Sequence, residues 1–236
     1  MRYGDFMINE EFGKSLISTF NDPVGHGVHL LFNEWWQHAS ESAKDSYVTM
    51  INSDPHFAAF SQGDLYTEPI DFAATSELPL GTLGRTYHDW IVDNNLMTAI
   101  VANYKRLHES FEADGTLIGM PVEMKHAILR SYQTHDFQHV VTGYNSSGFG
   151  EVALQAFCLA QFPYPYFGMW LSVSTTRMTF TQPRTIVKMM DAISAGWTYG
   201  RTTGNIQCEK WETMLDQPLS EIRSRYGLSG MPSLKV

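Results

Sequence analysis

His135 and His139 stand four residues apart in the segment His135-Asp136-Phe137-Gln138-His139, and Glu151 follows after eleven more residues. On a helix, positions i and i+4 lie on one face, one turn apart, so both imidazoles can aim at one point. Asp136 projects from a neighbouring angle. Glu151 can return from a second helix beyond the turn-rich stretch Gly143-Tyr144-Asn145-Ser146-Ser147-Gly148. Imidazole and carboxylate both offer a lone pair at neutral pH. His135, Asp136, His139 and Glu151 are therefore a candidate ligand set for a divalent metal held between two helices. The alternative is a pair of ordinary helix histidines hydrogen-bonded to carboxylates. The segment also mimics the His-Glu-x-x-His pattern of zinc proteases, but with Asp in place of Glu. Asp is one methylene shorter and poorly placed as a base on a metal-bound water, which disfavours a protease. The other seven histidines are scattered and none is assigned to the metal.

The elements that must position these residues read as helices. Pro121 suits the first turn of a helix running to about Thr142, with Ile128, Tyr132, His135 and His139 on one face and Gly143 at its end. The next helix starts near Ser147 or Gly148 and carries Glu151, Leu154, Gln155 and Cys158 along one side. Upstream, Leu78 to Arg85 opens with breakers and leads into an amphipathic stretch from Thr86 to Asn95, with Thr82 as a cap. Residues 161–170 read as an aromatic, proline-rich connection. Pro183 then starts a long helix whose Ile186, Met190, Ile193 and Trp197 are spaced as a core stripe. Trp211, Met214 and Leu215 suggest another helix. Pro218 starts a last one, with Leu219, Ile222 and Tyr226 inward and Gly227 ending it. The first 35 residues, with Pro23, Gly25 and Gly27, read as short helical pieces joined by an irregular link. Strand-like alternation is scarce. The expected fold is all-α: a single-domain helical bundle over residues 1–236 with a divalent-metal site between two helices.

Composition narrows the function classes. A chain of 236 residues can bury a sizeable core, and 43% hydrophobic residues is ordinary for a globular protein. A formal net charge of -9 offers no basic stripe for phosphates and excludes nucleic acid as a partner. It also weakens adhesion to anionic lipid by overall charge alone. Two cysteines, Cys158 and Cys208, are too few for a disulfide scaffold and read as buried thiols in a reducing compartment. No stretch approaches the roughly 20 apolar residues of a spanning helix, and the first residues lack the apolar core of a secretory signal. Any membrane role is expected to be peripheral.

His135-Asp-x-x-His139 with Glu151 after eleven residues resembles the hallmark of the coenzyme Q biosynthesis protein 4 family and its bacterial homologs. Two further stretches are similar to that family. One is Pro79-Leu80-Gly81-Thr82-Leu83-Gly84-Arg85-Thr86-Tyr87. The other comprises Tyr199-Gly200-Arg201, Trp211-Glu212, Pro218-Leu219-Ser220-Glu221-Ile222-Arg223 and Gly227. The resemblance covers roughly residues 78–228 and leaves 1–77 as an N-terminal helical extension. It implies an all-helical fold and a divalent ion, usually zinc, with iron or magnesium as alternatives. It also implies a ligand set of His135, Asp136, His139 and Glu151, a hydrophobic groove for a polyprenyl tail, and a role in the assembly that makes ubiquinone. Without an Arg- and Ser-rich leader, the chain is expected to be a bacterial protein, cytoplasmic and peripheral to the inner face of the membrane.

Two hypotheses follow. In the first, the protein is an enzyme acting at ring carbon 1 of a polyprenylated hydroxybenzoate, removing the carboxyl group with hydroxylation. In the second, it is a non-enzymatic isoprenoid-binding scaffold that presents intermediates to other quinone-biosynthesis enzymes. The twelve methionines and the aromatics from Phe162 to Trp170 motivate the scaffold, although they could equally fill the core. Arg85 and Arg201 are candidates for gripping a carboxylate or phosphate, or else for plain ion pairs. Tyr132, one turn before His135, is a candidate to line the site. A partner interface, including a homo-oligomeric one, is expected under either hypothesis.

Overall fold

The computed structural model describes residues 9–23, 26, 28–61, 70–97 and 104–228; Gly25 and Gly27, in the expected irregular link, lie outside the described residues. The helices in chain order are α1 (Glu10–Asn21), α2 (Val28–His38), α3 (Glu41–Ser53), α4 (Pro55–Ser61), α5 (Phe72–Thr75) and α6 (Leu83–Asp93). They continue with α7 (Tyr104–Ala113), α8 (Val122–Thr142), α9 (Gly148–Gln161), α10 (Pro165–Thr181), α11 (Ile186–Thr202) and α12 (Leu219–Tyr226). Among the described residues there is no strand, only an isolated antiparallel bridge between Thr82 and Pro218. The fold is all-α, as the hydrophobic spacing indicates.

Local chemistry sets the ends of the helices that matter here. Thr82 caps α6 by accepting from the Arg85 amide, and Ser147 caps α9 by accepting from the Gly150 amide. Gly143 ends α8 and Gly227 ends α12 in left-handed backbone at φ of 82° and 70°. Pro165 opens α10 at its first turn.

α8 is buried on nearly every side, so its interior polar groups need partners. Arg130 donates to Glu212 at 2.7 and 3.3 Å, to Gln133 at 2.6 Å and to the Glu209 carbonyl at 3.0 Å. Gln138 bonds Gln207 at 3.2 Å and accepts from the Cys158 thiol at 3.3 Å. α11 lies along α9 at unusually close range. A Cβ on Gly196 would come within 2.0 Å of the Ala153 carbonyl oxygen, and one on Gly200 within 2.5 Å of that of Phe157.

Four expectations are corrected. Residues 161–170 are not all connection: α10 begins at Pro165 and runs to Thr181, leaving only Phe162, Pro163 and Tyr164 between helices. On α11 the face turned to α9 is Met189, Ala192, Gly196 and Tyr199, while Met190 and Trp197 are exposed and Ile186 and Ile193 half-buried. The glycines decide this, because at Gly196 and Gly200 the absence of a side chain lets α11 come so near the α9 backbone. The segment at Trp211 is a single 3-10 turn, Trp211–Thr213, rather than a helix. Its continuation is committed elsewhere: the Leu215 and Gln217 carbonyls accept from the Gly84 and Leu83 amides at the start of α6. Finally, both cysteines are free, but only Cys158 is fully buried and Cys208 is half-buried.

Gly196→Ala should therefore destabilise the protein by roughly 2 kcal/mol through overpacking. Gly168→Ala on α10, where a new Cβ meets nothing within 4 Å, should be neutral or stabilising by up to about 1 kcal/mol. Equal losses in urea unfolding would contradict the close approach. His126 on α8 is buried, and burial together with the charges of Arg130 and Lys210 pushes its pKa down to about 4. The unfolded chain then binds that proton more readily than the folded one. Stability should fall as the pH drops from about 6.5 toward 4, with a slope approaching about 1.4 kcal/mol per pH unit. His126→Gln should flatten that dependence.

Candidate metal centre

The last turn of α8 is unusually constrained. Its terminal carbonyls, which a helix leaves without partners, are taken up by Arg223 of α12, whose guanidinium donates to Val141 at 3.0 Å and Val140 at 2.9 Å. The Gly143 amide closes onto the His139 carbonyl at 2.7 Å. The left-handed turn at Gly143 swings Tyr144 back so that its carbonyl accepts from His139 Nδ1 at 3.0 Å. On the other side of the turn, Asn145 lies so close to α9 that a Cβ on Gly150 would come within 2.0 Å of its carbonyl oxygen. Glu151 follows directly, in the first turn of α9.

These constraints bring three of the expected residues together. His139 Nε2 lies 3.2 Å from His135 Nε2 and 3.1 Å from Glu151 Oε1, and His135 Nε2 lies 3.3 Å from Glu151 Oε2. The two rings are nearly perpendicular. Trp90 of α6 stacks on His139 with centroids 5.1 Å apart and planes at 20°. The His139 side chain is fully buried, whereas those of His135 and Glu151 are about a third exposed, at 32% and 29%. The cluster is thus closed on the Trp90 side and open at its His135–Glu151 edge.

A backbone carbonyl can only accept, so His139 carries a proton on Nδ1 and turns Nε2 toward the cluster. In the neutral ring the His139 Nε2 lone pair then faces His135 Nε2 and the Glu151 carboxylate, so a proton, such as one on His135 Nε2, or a cation must lie among them. Burial opposes the charge on Glu151, but the hydrogen bonds and the charge that His135 and His139 supply when protonated hold its carboxyl well below the usual range. Burial likewise opposes charge on His135, yet the hydrogen bond to Glu151 and the charges of Glu151 and Asp136 lift its pKa above the ordinary imidazole value. The distances of 3.1–3.3 Å are close to the ~3.3 Å edge of a tetrahedron around an ion with bonds near 2.0–2.1 Å. The donor set and its spacing fit a divalent cation.

The remaining candidates are placed differently. Asp136 is not one of the three residues whose ligand atoms lie within 4.8 Å of one another. Its carboxyl is raised by burial and by the Glu151 charge, against the opposing pull of the two histidines. Tyr132 lines an aromatic cavity with Phe32, Ile128, Ser131, Tyr164 and Tyr166. Arg85 grips Asp89 at 2.9 and 3.1 Å and donates to the Ser76 carbonyl at 2.9 Å, so it ties α6 to the preceding turn. Arg201 is exposed in the last turn of α11. The Tyr144 carbonyl, Trp90 and Arg223 were not among the expected site residues. The first is backbone, which no side-chain motif displays, and the other two lie far from the motif in sequence.

Imidazole nitrogen NMR of the metal-free protein should find the His139 proton on Nδ1 at high pH. A neutral ring protonated on Nε2 would contradict the Tyr144 contact.

Residues 61–232 match the family described as coenzyme Q (ubiquinone) biosynthesis protein Coq4. The mitochondrial ubiquinone biosynthesis protein COQ4 of Yarrowia lipolytica is 22% identical over 175 residues, covering 74% of this chain and 61% of that protein. The corresponding protein of Eremothecium gossypii is 25% identical over 175 residues, covering 72% of this chain and 49% of its own length. The chain thus spans about half to three-fifths of these relatives. A crystal structure of a Nostoc punctiforme protein assigned to ubiquinone biosynthesis is similar at a TM-score of 0.71 and 25% identity, over 95% of this chain and all of that one. The matched region takes in α5 to α12 and every residue of the metal-like cluster, and on it the chain belongs to the Coq4 family of ubiquinone biosynthesis proteins.

Proposed function

We propose that the protein binds a divalent cation through His135, His139 and Glu151, with Asp136 supporting the set. We further propose that it acts at ring carbon 1 of a polyprenylated hydroxybenzoate in ubiquinone biosynthesis, removing the carboxyl group with hydroxylation. The observation that carries this reading is the convergence of two imidazole nitrogens and one carboxylate within 3.3 Å, with the outer nitrogen of His139 tied to a carbonyl. A backbone carbonyl on the far nitrogen is one of the partners, with carboxylate and water, that metal-ligating histidines almost always have.

Zinc suits the spacing. Two histidines and one carboxylate are also the set that non-haem iron(II) oxygenases use. A bound cation would supply Lewis acidity toward a carboxylate and a phenolic oxygen. Zinc has no redox chemistry of its own, so hydroxylation requires an oxidant, either dioxygen at iron or a separate acceptor. The chain's own residues do the rest. Trp90 and the buried ring of His139 keep water from one side, and the exposed His135–Glu151 edge admits the head group. The aromatic cavity around Tyr132 and Tyr164 has only about 10 Å³ of room, enough for a water and not for a prenyl chain, so the tail must lie on another surface or part these rings. The substrate's tail places the working position at a membrane face, beside other enzymes of the pathway. No helix among the described residues is long and apolar enough to cross a membrane, so that position would be peripheral.

The aromatic residues gathered around Tyr132 and Tyr164 motivate a second reading, in which the protein holds an isoprenoid intermediate and presents it without turnover. Metal analysis, mass spectrometry of co-purified lipid and turnover of a prenylated 4-hydroxybenzoate distinguish the two. The enzyme reading expects bound metal and product. His139→Ala and Glu151→Ala should each weaken metal affinity by more than about 100-fold and abolish complementation of a deletion strain. Variants that complement like wild type would overturn the metal chemistry. Co-purified isoprenoid without product in any metal form would favour the scaffold.

A further inference from the structure

α11 has two apolar faces, and α9 covers only one. The other carries Val187, Met190 and Trp197, which are 67%, 49% and 46% exposed, with Ile186 and Ile193 half-buried along its edge. Val187, Met190, Ser194, Trp197 and Arg201 follow the 3–4 spacing of one helical face, apolar at three of the five positions. Phe180, 82% exposed, stands at the end of α10, just before the turn into α11. Isolated exposed apolar residues need no explanation, but three large ones aligned on one helix face suit a protein or membrane contact.

The charges around this stripe identify the partner's chemistry. Arg184 and Lys188 at one end and Arg201 at the other are exposed, and no hydrogen bond or ion pair among the described residues engages their side chains. Asp191 is the single acidic residue between Glu151 and Glu209. Arg177 is already committed, donating to the Phe20 and Asn21 carbonyls at the end of α1. A chain of net charge -9 thus sets three unengaged cations near the ends of this stripe against one exposed acid, Asp191, at its flank. The matching surface is anionic and soft enough to receive a protruding Phe180. An exposed Trp flanked by cations also suits the headgroup level of a bilayer.

We infer that the outer face of α11, with Phe180 at the α10–α11 turn, is the surface by which the protein docks on an anionic lipid bilayer. This deepens the peripheral membrane position proposed above and rests on it. The surface is separate from the metal-like cluster, because α11 packs on the Ala153 and Phe157 side of α9, away from Glu151.

The test is flotation of the full chain with vesicles of phosphatidylcholine alone and of phosphatidylcholine mixed with phosphatidylglycerol. Wild type should float with the anionic vesicles, less so as salt rises, and weakly or not at all with the neutral ones. Each basic residue near such a surface contributes roughly a factor of five, so Arg184→Glu with Lys188→Glu should weaken binding by more than about tenfold. Phe180→Ser with Val187→Ser should also weaken it, with helical content and melting temperature unchanged in both double variants. If both double variants bind as wild type does, the docking face is wrong while the membrane position stands. If wild type binds neither vesicle, both are overturned. If wild type is a dimer by light scattering that Trp197→Ser dissociates, and it binds no vesicle, the stripe belongs to a second copy of the chain.

Discussion

Two imidazole nitrogens and a carboxylate face each other at hydrogen-bond distance, and that arrangement needs a proton or a cation among them. The fold must hold the three groups in place. It does so by removing freedom at the two helix ends that meet there. Arg223 and Gly143 fix the last turn of α8, Ser147 and the Asn145–Gly150 contact fix the first turn of α9, and Trp90 blocks one side of the His139 ring. None of these contacts is individually strong. Together they leave the histidine side chains few alternative rotamers, as a site that must accept an ion in one geometry requires.

The polar interior of α8 has a related purpose. A buried arginine costs several kcal/mol in lost hydration unless it is fully satisfied. Arg130 meets that cost with Glu212, Gln133 and the Glu209 carbonyl. The pair links the middle of α8 to the 3-10 turn at Trp211, while the same stretch of chain caps the start of α6. α6 in turn carries Trp90 onto His139. The segment following α11 therefore reaches the metal-like cluster by two routes, through Arg223 at the end of α8 and through α6. This explains why a loop with little regular structure of its own is packed so tightly, with Trp211 wholly buried.

The cluster itself was legible in the sequence because its information is local. Four-residue spacing on a helix, a glycine that ends it, and a capped helix soon after all follow from short-range rules. His135, His139 and Glu151 meet as that spacing requires. Asp136, one position along from His135, points from a different angle of the same helix and stands apart from the three. What could not be read was long-range. The stripe Ile186, Met190, Ile193 and Trp197 has good helical periodicity, but periodicity does not say which face a neighbour covers. Gly196 and Gly200 carried that answer, and glycine contributes nothing to a hydrophobic count. Pro165 looked like a breaker, whereas at a first turn proline starts a helix. Trp211 looked like a helical core residue, but its segment's backbone carbonyls were needed by the amides of Leu83 and Gly84.

The acceptor that orients His139 belongs to the main chain at Tyr144 and not to any side chain. The oxygen itself survives any exchange of the residue, but its position depends on the Tyr144 ring, which is buried in the core against Tyr199. A residue gained or lost between Gly143 and Ser147 would withdraw it outright. The ring of His139 is therefore tuned through the packing and the length of the loop rather than through the chemistry of a partner side chain.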